Sequence, residues 1–328
     1  AGVYISADLC RPDAAARAFA PLDAQPEGAP GKEAPYTLPE SPDARRMTRK
    51  DYAWMLAVTA VYAVAAFANL GSMKAPQQGY VFTKADEQAT EATDAIAFTE
   101  QVVLDLGEEK ENFRLAFFGG IHWSGVSFQV EVSPDGESWT GGYSAELSDS
   151  GDCFKWKYLT GSYLAGDTVK YTSDPVLLPG RDVRLTTHDV GLTLYEVIAR
   201  DGEGNALPMT VAKGAAGAEH LVDEPDTLEG EPGWFNSTYF DEIYHARTAY
   251  EHLHGQRPYE TTHPPLGKLL MAVGIAIFGM TPFGWRFAGA FIGVLMLPAL
   301  YLLTKQLLHR RSLAAAAMTA FALDLMHY

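Results

Sequence analysis

Phe240-Asp241-Glu242-Ile243-Tyr244-His245 and, further on, Thr262-His263-Pro264-Pro265-Leu266-Gly267-Lys268 are the two stretches around which the chain is organised. The first sets two carboxylates side by side at the head of a run of helix formers. The second sets a His-Pro-Pro turn directly in front of an apolar helix. Pro264-Pro265 pre-sets the first helical turn and removes donors that would be orphaned there. His263, preceding a proline, is held extended. Asp241 and Glu242 are neighbours, and successive helical side chains point about 100° apart, so they are expected to do different jobs.

The apolar run that follows, 269–280, is short for a membrane span and is broken by Thr281-Pro282-Phe283-Gly284. A longer uncharged run over 287–304 ends at Lys305, His309, Arg310 and Arg311. Upstream, Arg45-Arg46-Met47-Thr48-Arg49-Lys50 precedes a run without charge over 52–70. A basic cluster before the first run places its N-terminal side in the cytoplasm. If only the longer of the two later runs spans, the second basic cluster returns to the same side, as the positive-inside tendency prefers. The expected order is a first transmembrane helix over 47–72, an interfacial helix over 266–280 and a second transmembrane helix over 285–307. The start of a third follows over 312–328, bringing Asp324 and His327 toward the outer face. Ionisable groups at membrane depth are functional candidates.

The chain has 328 residues and a net charge of -16, which argues against a nucleic-acid partner. Of its 41 acidic residues, 32 fall between Met73 and Thr262, against 13 Lys and Arg there; a large polar block is inserted between membrane segments. Residues 1–46 are rich in Ala, Pro, Asp and Glu and read as a disordered cytoplasmic tail. Cys10 and Cys153 are predicted to lie on opposite sides of the membrane, unable to pair within the chain. The first residue is Ala and the last lie inside an apolar run, so a fragment of a longer membrane protein, inactive by itself, is expected.

Within the polar block, 79–210 carries strand-like runs at 101–106, 113–118, 126–132, 183–187 and 192–199. Turn chemistry separates them at Ser133-Pro134-Asp135-Gly136, Leu178-Pro179-Gly180 and Asp201-Gly202-Glu203-Gly204. Short strands at this spacing predict an all-β sandwich. An acidic linker over 211–233 follows, then an outer loop over 234–265. Val130-Glu131-Val132-Ser133-Pro134-Asp135-Gly136-Glu137-Ser138-Trp139 resembles the strand-turn-Trp segment of discoidin-type, coagulation-factor C-domain-like jelly rolls. The opening Val103-Leu104-Asp105-Leu106-Gly107, then Asp182-Val183-Arg184-Leu185-Thr186, and the closing 194–201 strand agree in order. That resemblance implies glycan binding by loops at one end, with Trp123, Trp139 and Trp156 as candidate stacking residues; the same aromatics also suit a core.

Paired acids, a His-Pro-Pro turn, and Lys268 and Arg286 near the membrane surface suit transfer of a group from a lipid phosphate to an outside acceptor. A carboxylate can take the acceptor hydroxyl's proton, and an Arg can meet the leaving phosphate bidentately. A carboxylate pair with a nearby His also suits a divalent metal, so the metal question stays open. Asp241-Glu242, Thr262-His263-Pro264-Pro265-Leu266-Gly267-Lys268, Pro282-Phe283-Gly284-Trp285-Arg286-Phe287, the 297–305 run and Leu323-Asp324-Leu325-Met326-His327-Tyr328 together resemble the protein O-mannosyltransferase family. These are multi-span, C-type glycosyltransferases that use polyprenyl-phosphate sugars. The resemblance implies a helical membrane fold, here with an extracytoplasmic jelly roll inserted after the first transmembrane helix. It implies Asp241 as the base, Glu242 as its neighbour in positioning, and Arg286 at the donor phosphate. His263, Lys268, His245, Asp324 and His327 would shape the donor site. The expected reaction moves a sugar, mannose first, to Ser/Thr hydroxyls with inversion, in a bacterial plasma membrane with the N-terminus cytoplasmic. Two alternatives remain open: transfer to a lipid or glycan acceptor, and a membrane-tethered glycan-binding protein.

Overall fold

The computed structural model describes residues 46–82, 100–165 and 168–324, the side chains of 162–171 excepted. Cys10, His327 and nearly all of the 1–46 tail lie outside the described residues.

Helix α1 (Arg49–Ala68) opens at Thr48, whose backbone N–H donates to the Asp51 carboxylate at 2.8 Å, half of a capping box. Its 20 residues rise about 30 Å, the thickness of a bilayer's hydrocarbon core. Leu56, Val61 and Val64 on it are exposed. An apolar helix with an uncovered apolar surface suits a lipid environment better than water.

The chain then enters a β-rich body through β1 (Tyr80–Val81). It continues with β2 (Glu100–Gly119), β3 (Val126–Ser133), β4 (Thr140–Leu147) and β5 (Lys155–Tyr158). A separate hairpin follows, β6 (Thr160–Ala165) with β7 (Thr168–Pro175), and then β8 (Leu178–Thr187), β9 (Thr193–Arg200), β10 (Ala206–Leu207) and β11 (Thr210–Lys213). Every pairing is antiparallel. The order β4-β3-β8-β2-β11 makes one layer, and β1-β9-β2-β5 the other, with β10 paired to β9. β2 belongs to both. Its first half pairs with β8, Val102 opposite Leu185 and Leu104 opposite Val183. Its second half pairs with β9, Ala116 opposite Ile198, and with β5, Ala116 opposite Tyr158.

The sequence predicts two strands here, at 101–106 and 113–118; the structure has one. The intervening residues carry no complete turn. Gly107 takes φ +79° and its N–H donates to Asp105 Oδ1 at 2.7 Å, and the register against β8 shifts between Asp105 and Lys110. A bulge of this kind bends a strand without ending it.

Alternate residues of the second half of β2 point to two different cores. Leu115 and Phe117 face inward to meet β3, and the Phe117 and Phe128 rings pack edge to face at 5.1 Å. Ala116 and Phe118 face outward, with Trp156 of β5 and Ile198 of β9. That outer face is covered by α2 (Glu242–Leu253), through Ile243, Ala246 and Ala249, and by α3 (Pro265–Phe278), through Ala272 and Ile275. Glu196 is the acid in the otherwise apolar middle of β9; burial pushes its carboxyl up to about 9.

Two further helices complete the chain, α4 (Pro282–Leu308) and α5 (Arg311–Ala322). α1 and α4 run antiparallel. The ring of Phe67, late in α1, lies 5.7 Å from that of Phe287, early in α4, while Asp51 at the start of α1 meets Lys305 at 2.7 Å and Tyr301 at 2.7 Å near the end of α4. Arg311 at the start of α5 reaches the same carboxylate at 3.0 Å. Lys50, Lys305 and Arg311 therefore share one end of the helix group, and the β-rich body sits at the other. Only α1 and α4, among the described residues, are long and apolar enough to cross a membrane. α3 is a separate, shorter helix of 14 residues. Leu266, Leu269, Val273 and Ile277 form an exposed stripe on it, while Lys268, Ala272 and Ile275 are buried on the other side.

Candidate active site

The site is built at the start of α2. Asp241 occupies the N-cap position, exposed, and among the described residues its carboxylate has no hydrogen-bond partner. Phe240 before it takes φ 48°, in the left-handed region that a bulky side chain adopts at a cost of about 1–2 kcal/mol. Phe240 and Tyr239 are also exposed, 75% and 66%. Strain and exposed aromatics thus coincide at the residue that presents the carboxylate.

Glu242 points elsewhere, as neighbouring positions on a helix require. Its two oxygens take Arg286 Nε at 2.6 Å and Nη2 at 2.7 Å, a bidentate pair. Arg286, expected at a donor phosphate, is committed inward: it also donates to the carbonyls of Leu70 at 3.0 Å, Trp234 at 2.8 Å and Ser237 at 3.2 Å. One guanidinium thereby fastens the end of α1, the 234–237 loop, α2 and α4. The Gly71 position serves this arrangement. Its φ is +136°, and an added Cβ would stand 2.6 Å from Arg286 Nη1.

His245 follows Asp241 by one helical turn and lies on the same face. Its ring meets that of His263 at 5.2 Å, edge to face. His263 is exposed and its Nδ1 lies 3.3 Å from Glu260 Oε1. Lys268 is not at the surface. It is buried and forms an ion pair with Glu260, whose backbone carbonyl it also contacts at 2.8 Å. The Lys268 ammonium, with the Thr262 hydroxyl adding to it, holds the Glu260 carboxyl well below the usual carboxylate range. Lys268 therefore ties the His-Pro-Pro turn to α3. Asp324 is exposed just past the end of α5.

Of the three tryptophans, Trp156 is buried among Phe118 and its neighbours, so it has no face for a ligand. Trp139 lies under the Arg184 guanidinium at 4.2 Å. Trp123 is 58% exposed and borders a cleft of about 460 Å³ with Thr193, Tyr195, Tyr250, Gln256 and Arg257. Beside it lies a group the sequence reading missed. Arg247 and Glu251 on α2 are fully buried and paired at 2.8 Å. Arg247 also donates to the Asp149 carbonyl at 2.6 Å in the β4–β5 loop, and its guanidinium lies over the rings of Tyr259 at 3.9 Å and Trp123 at 4.9 Å. The signal was available as an i, i+4 Arg–Glu pair on a helix that is otherwise apolar on that side.

Comparison with known proteins places these features. Residues 262–328 match the family model described as dolichyl-phosphate-mannose-protein mannosyltransferase. The polyprenol-phosphate-mannose–protein mannosyltransferase of Mycobacterium tuberculosis is 43% identical over 63 residues, 17% of this chain and 12% of that protein. Its counterpart in Mycolicibacterium smegmatis is 37% identical over 73 residues, 20% of this chain and 14% of that protein. The chain thus matches about an eighth of the length of these relatives. The crystal structure of SpGH29 aligns with 40% of this chain and 29% of its own at 15% identity; its TM-score of 0.17 carries no argument. The apolar helices and the acid-bearing loop at one end of them thus accompany a segment similar to those of membrane glycosyltransferases. That segment, residues 262–328, matches the protein O-mannosyltransferase family.

Proposed function

We propose that this chain carries the first outer loop of an enzyme that moves mannose from polyprenyl phosphate to Ser or Thr hydroxyls of proteins on the extracytoplasmic side. The observation that carries the reading is the Asp241 carboxylate: exposed, unengaged and presented by a strained Phe240, while its neighbour Glu242 is locked to Arg286. In this reading Asp241 accepts the proton of the acceptor hydroxyl. The hydroxyl oxygen bonds to the anomeric carbon as the bond from that carbon to the phosphate oxygen breaks, polyprenyl phosphate leaves, and the sugar centre inverts. Single displacement needs one base and no enzyme nucleophile, which fits one free carboxylate beside one committed to structure. Arg286 acts through Glu242, as a positioning residue. His245, one turn from Asp241 on the same helix face, and His263, whose ring meets it, are the protonatable groups offered to the departing phosphate.

The shared end of the two basic clusters supports a cytoplasmic N-terminus under the positive-inside tendency, with the β-rich body outside. The exposed apolar stripe of α3 supports an interfacial helix resting on lipid. The β-rich body is read as a discoidin-like jelly roll from its antiparallel layers and its turn at 133–136. Trp123 above the cleft with Tyr250 and Arg257 supports a second role, recognition of a glycan or of the acceptor chain by that body.

The test uses the complete protein in membranes, with labelled polyprenyl-phosphate mannose and a Ser/Thr-rich peptide, comparing wild type with Asp241→Asn. Peptide labelling that collapses in the variant supports both the reaction and the base. Donor turnover without peptide labelling moves the acceptor to a lipid, a glycan or water. Equal labelling in both proteins removes Asp241 from the mechanism.

A further inference from the structure

The stretch 211–233, expected as an acidic linker, begins inside β11 and places Ala218 and Leu221 in the sandwich core. Two of its acids are not simply solvated. Asp223 and Glu224 converge on Glu196 of β9, and one carboxylate oxygen from each of the three lies within 4.8 Å of the others. Glu196 is fully buried. Among the described residues, no Lys or Arg pairs with any of them.

Each carboxylate has one oxygen held by the protein. Glu196 Oε2 accepts the Glu224 N–H at 3.1 Å. Asp223 Oδ2 meets His220 Nδ1 at 2.9 Å. Glu224 Oε2 accepts the N–H groups of Gln77 at 2.9 Å and Gln78 at 3.3 Å. The other oxygen of each has no hydrogen-bond partner among the described residues, and Glu196 Oε1, out of solvent, is left wholly unsatisfied. An unpaired buried acceptor is costly, and three carboxylates this close repel one another. Oriented oxygens backed by hydrogen bonds on their far side are the arrangement by which proteins prepare metal ligands.

We propose that Glu196, Asp223 and Glu224 form a binding site for a hard divalent cation of the calcium kind, at the joint between the sandwich and the membrane helices. The donor set is all oxygen, which selects Ca²⁺ and Mg²⁺ over softer metals. Asp223 is exposed, and the Asp223-Glu224 pair comes from a different segment than Glu196, so the geometry is adaptable; Ca²⁺ tolerates this, whereas Mg²⁺ demands a near-ideal octahedron. The position gives the site a consequence. Glu196 belongs to the sandwich, and Asp223 and Glu224 to the strand of chain leaving it. Through Gln77 and Gln78, Glu224 also holds the strand of chain entering it. Gln77 Oε1 in turn accepts the Met280 N–H at 3.0 Å, just ahead of α4. A bound cation clamps entry, exit and sandwich together. It makes the seating of the sandwich over α2 depend on divalent cation in the medium. The inference stands independently of the transferase reading.

The test is calorimetric titration of CaCl₂ into the detergent-solubilised chain after EDTA treatment, paired with thermal unfolding in EDTA and in millimolar Ca²⁺. One ion per chain and a raised unfolding midpoint are expected. Glu196→Gln and Asp223→Asn each weaken binding roughly tenfold or more and remove the shift in midpoint. Glu196→Gln also unfolds at a higher temperature than wild type in EDTA, because it takes an unpaired acid out of the core. Should Glu196→Gln fail to fold, Asp223→Asn, with its exposed side chain, carries the test alone. Absence of binding at millimolar Ca²⁺ overturns the proposal. So does binding that both variants retain unchanged, which would assign the ion to other acids. A midpoint that responds to pH but not to Ca²⁺ overturns it too, because Glu196 would then hold a proton instead.

Discussion

Replacing Arg247 by Met tests how the sandwich is held over α2. Arg247 and Glu251 have no solvent exposure at all, and the pair sits where α2, the β4–β5 loop and the Tyr259 segment meet. Removing the cation leaves the Glu251 carboxylate buried, with the Tyr259 N–H at 2.6 Å as its remaining donor. Breaking a buried pair in this way costs about 3–5 kcal/mol. At roughly 2–4 °C per kcal/mol for a body of this size, the unfolding midpoint falls by about 6–20 °C. The lost stacking on Tyr259 and Trp123 falls within that range. The double variant Arg247→Met with Glu251→Met removes both charges and restores apolar volume, so it recovers at least half of the loss. The assay is thermal unfolding of the detergent-solubilised chain followed by near-ultraviolet circular dichroism, which reports on the ordered packing of its aromatic side chains. A single variant within about 1 kcal/mol of wild type would refute the reasoning. So would a double variant no better than the single, since the cost would then lie in lost packing and not in a stranded charge.

Three other outcomes are expected. His122 is buried, its Nε2 accepts the Thr193 N–H at 3.1 Å, and burial lowers its pKa to about 4. The unfolded chain then takes up a proton that the folded one refuses, so stability drops by about 3 kcal/mol as pH falls from about 6.5 to 4, and a pH series of unfolding midpoints flattens in His122→Phe. Glu242→Gln replaces the bidentate ion pair with Arg286 by at best one neutral hydrogen bond; a loss of about 2–3 kcal/mol in chemical denaturation, with transfer reduced alongside, is expected, and Arg286→Lys does not restore it. Phe240→Gly releases the left-handed strain and raises stability by about 1–2 kcal/mol, while the turnover number falls because Asp241 is no longer held; a Gly variant less stable than wild type would show that Phe240 is not strained.

The order of the apolar helices was legible because charge and hydropathy mark their ends. The basic clusters, the broken 269–280 run and the longer run behind it correspond to the ends of α1 and α4 and to the separate α3. The strand runs were legible for the same reason, period-two alternation flanked by turn residues. The strands β4 to β7, over 140–175, were not among the runs read, and two further things were not legible. The merger of 101–106 with 113–118 depends on a bulge at Gly107, and a polar interlude reads alike whether it turns or bends. The destinations of Arg286, Lys268 and Trp156 depend on partners far along the chain, Leu70 and Trp234, Glu260, and Phe118 with Ser237. A basic or aromatic residue announces what it can bind, not whether a nearer neighbour already occupies it. Asp241 was distinguishable from Glu242 only as far as helix geometry goes; which of the two is free is a tertiary fact.

β2 also bears on how such a chain can be cut and spliced. Its inward residues belong to the sandwich and its outward residues, Ala116 and Phe118, to the platform under Asp241. Excising the sandwich would strip the platform of one wall and lay bare Ile243, Ala246 and Ala249. Expressing the sandwich alone would expose Phe118, Trp156 and Ile198 as an apolar patch prone to aggregation. The inserted segment has therefore ceased to be a detachable cassette. Chimeras between relatives should be joined beyond α4, where among the described residues no strand is shared between two cores.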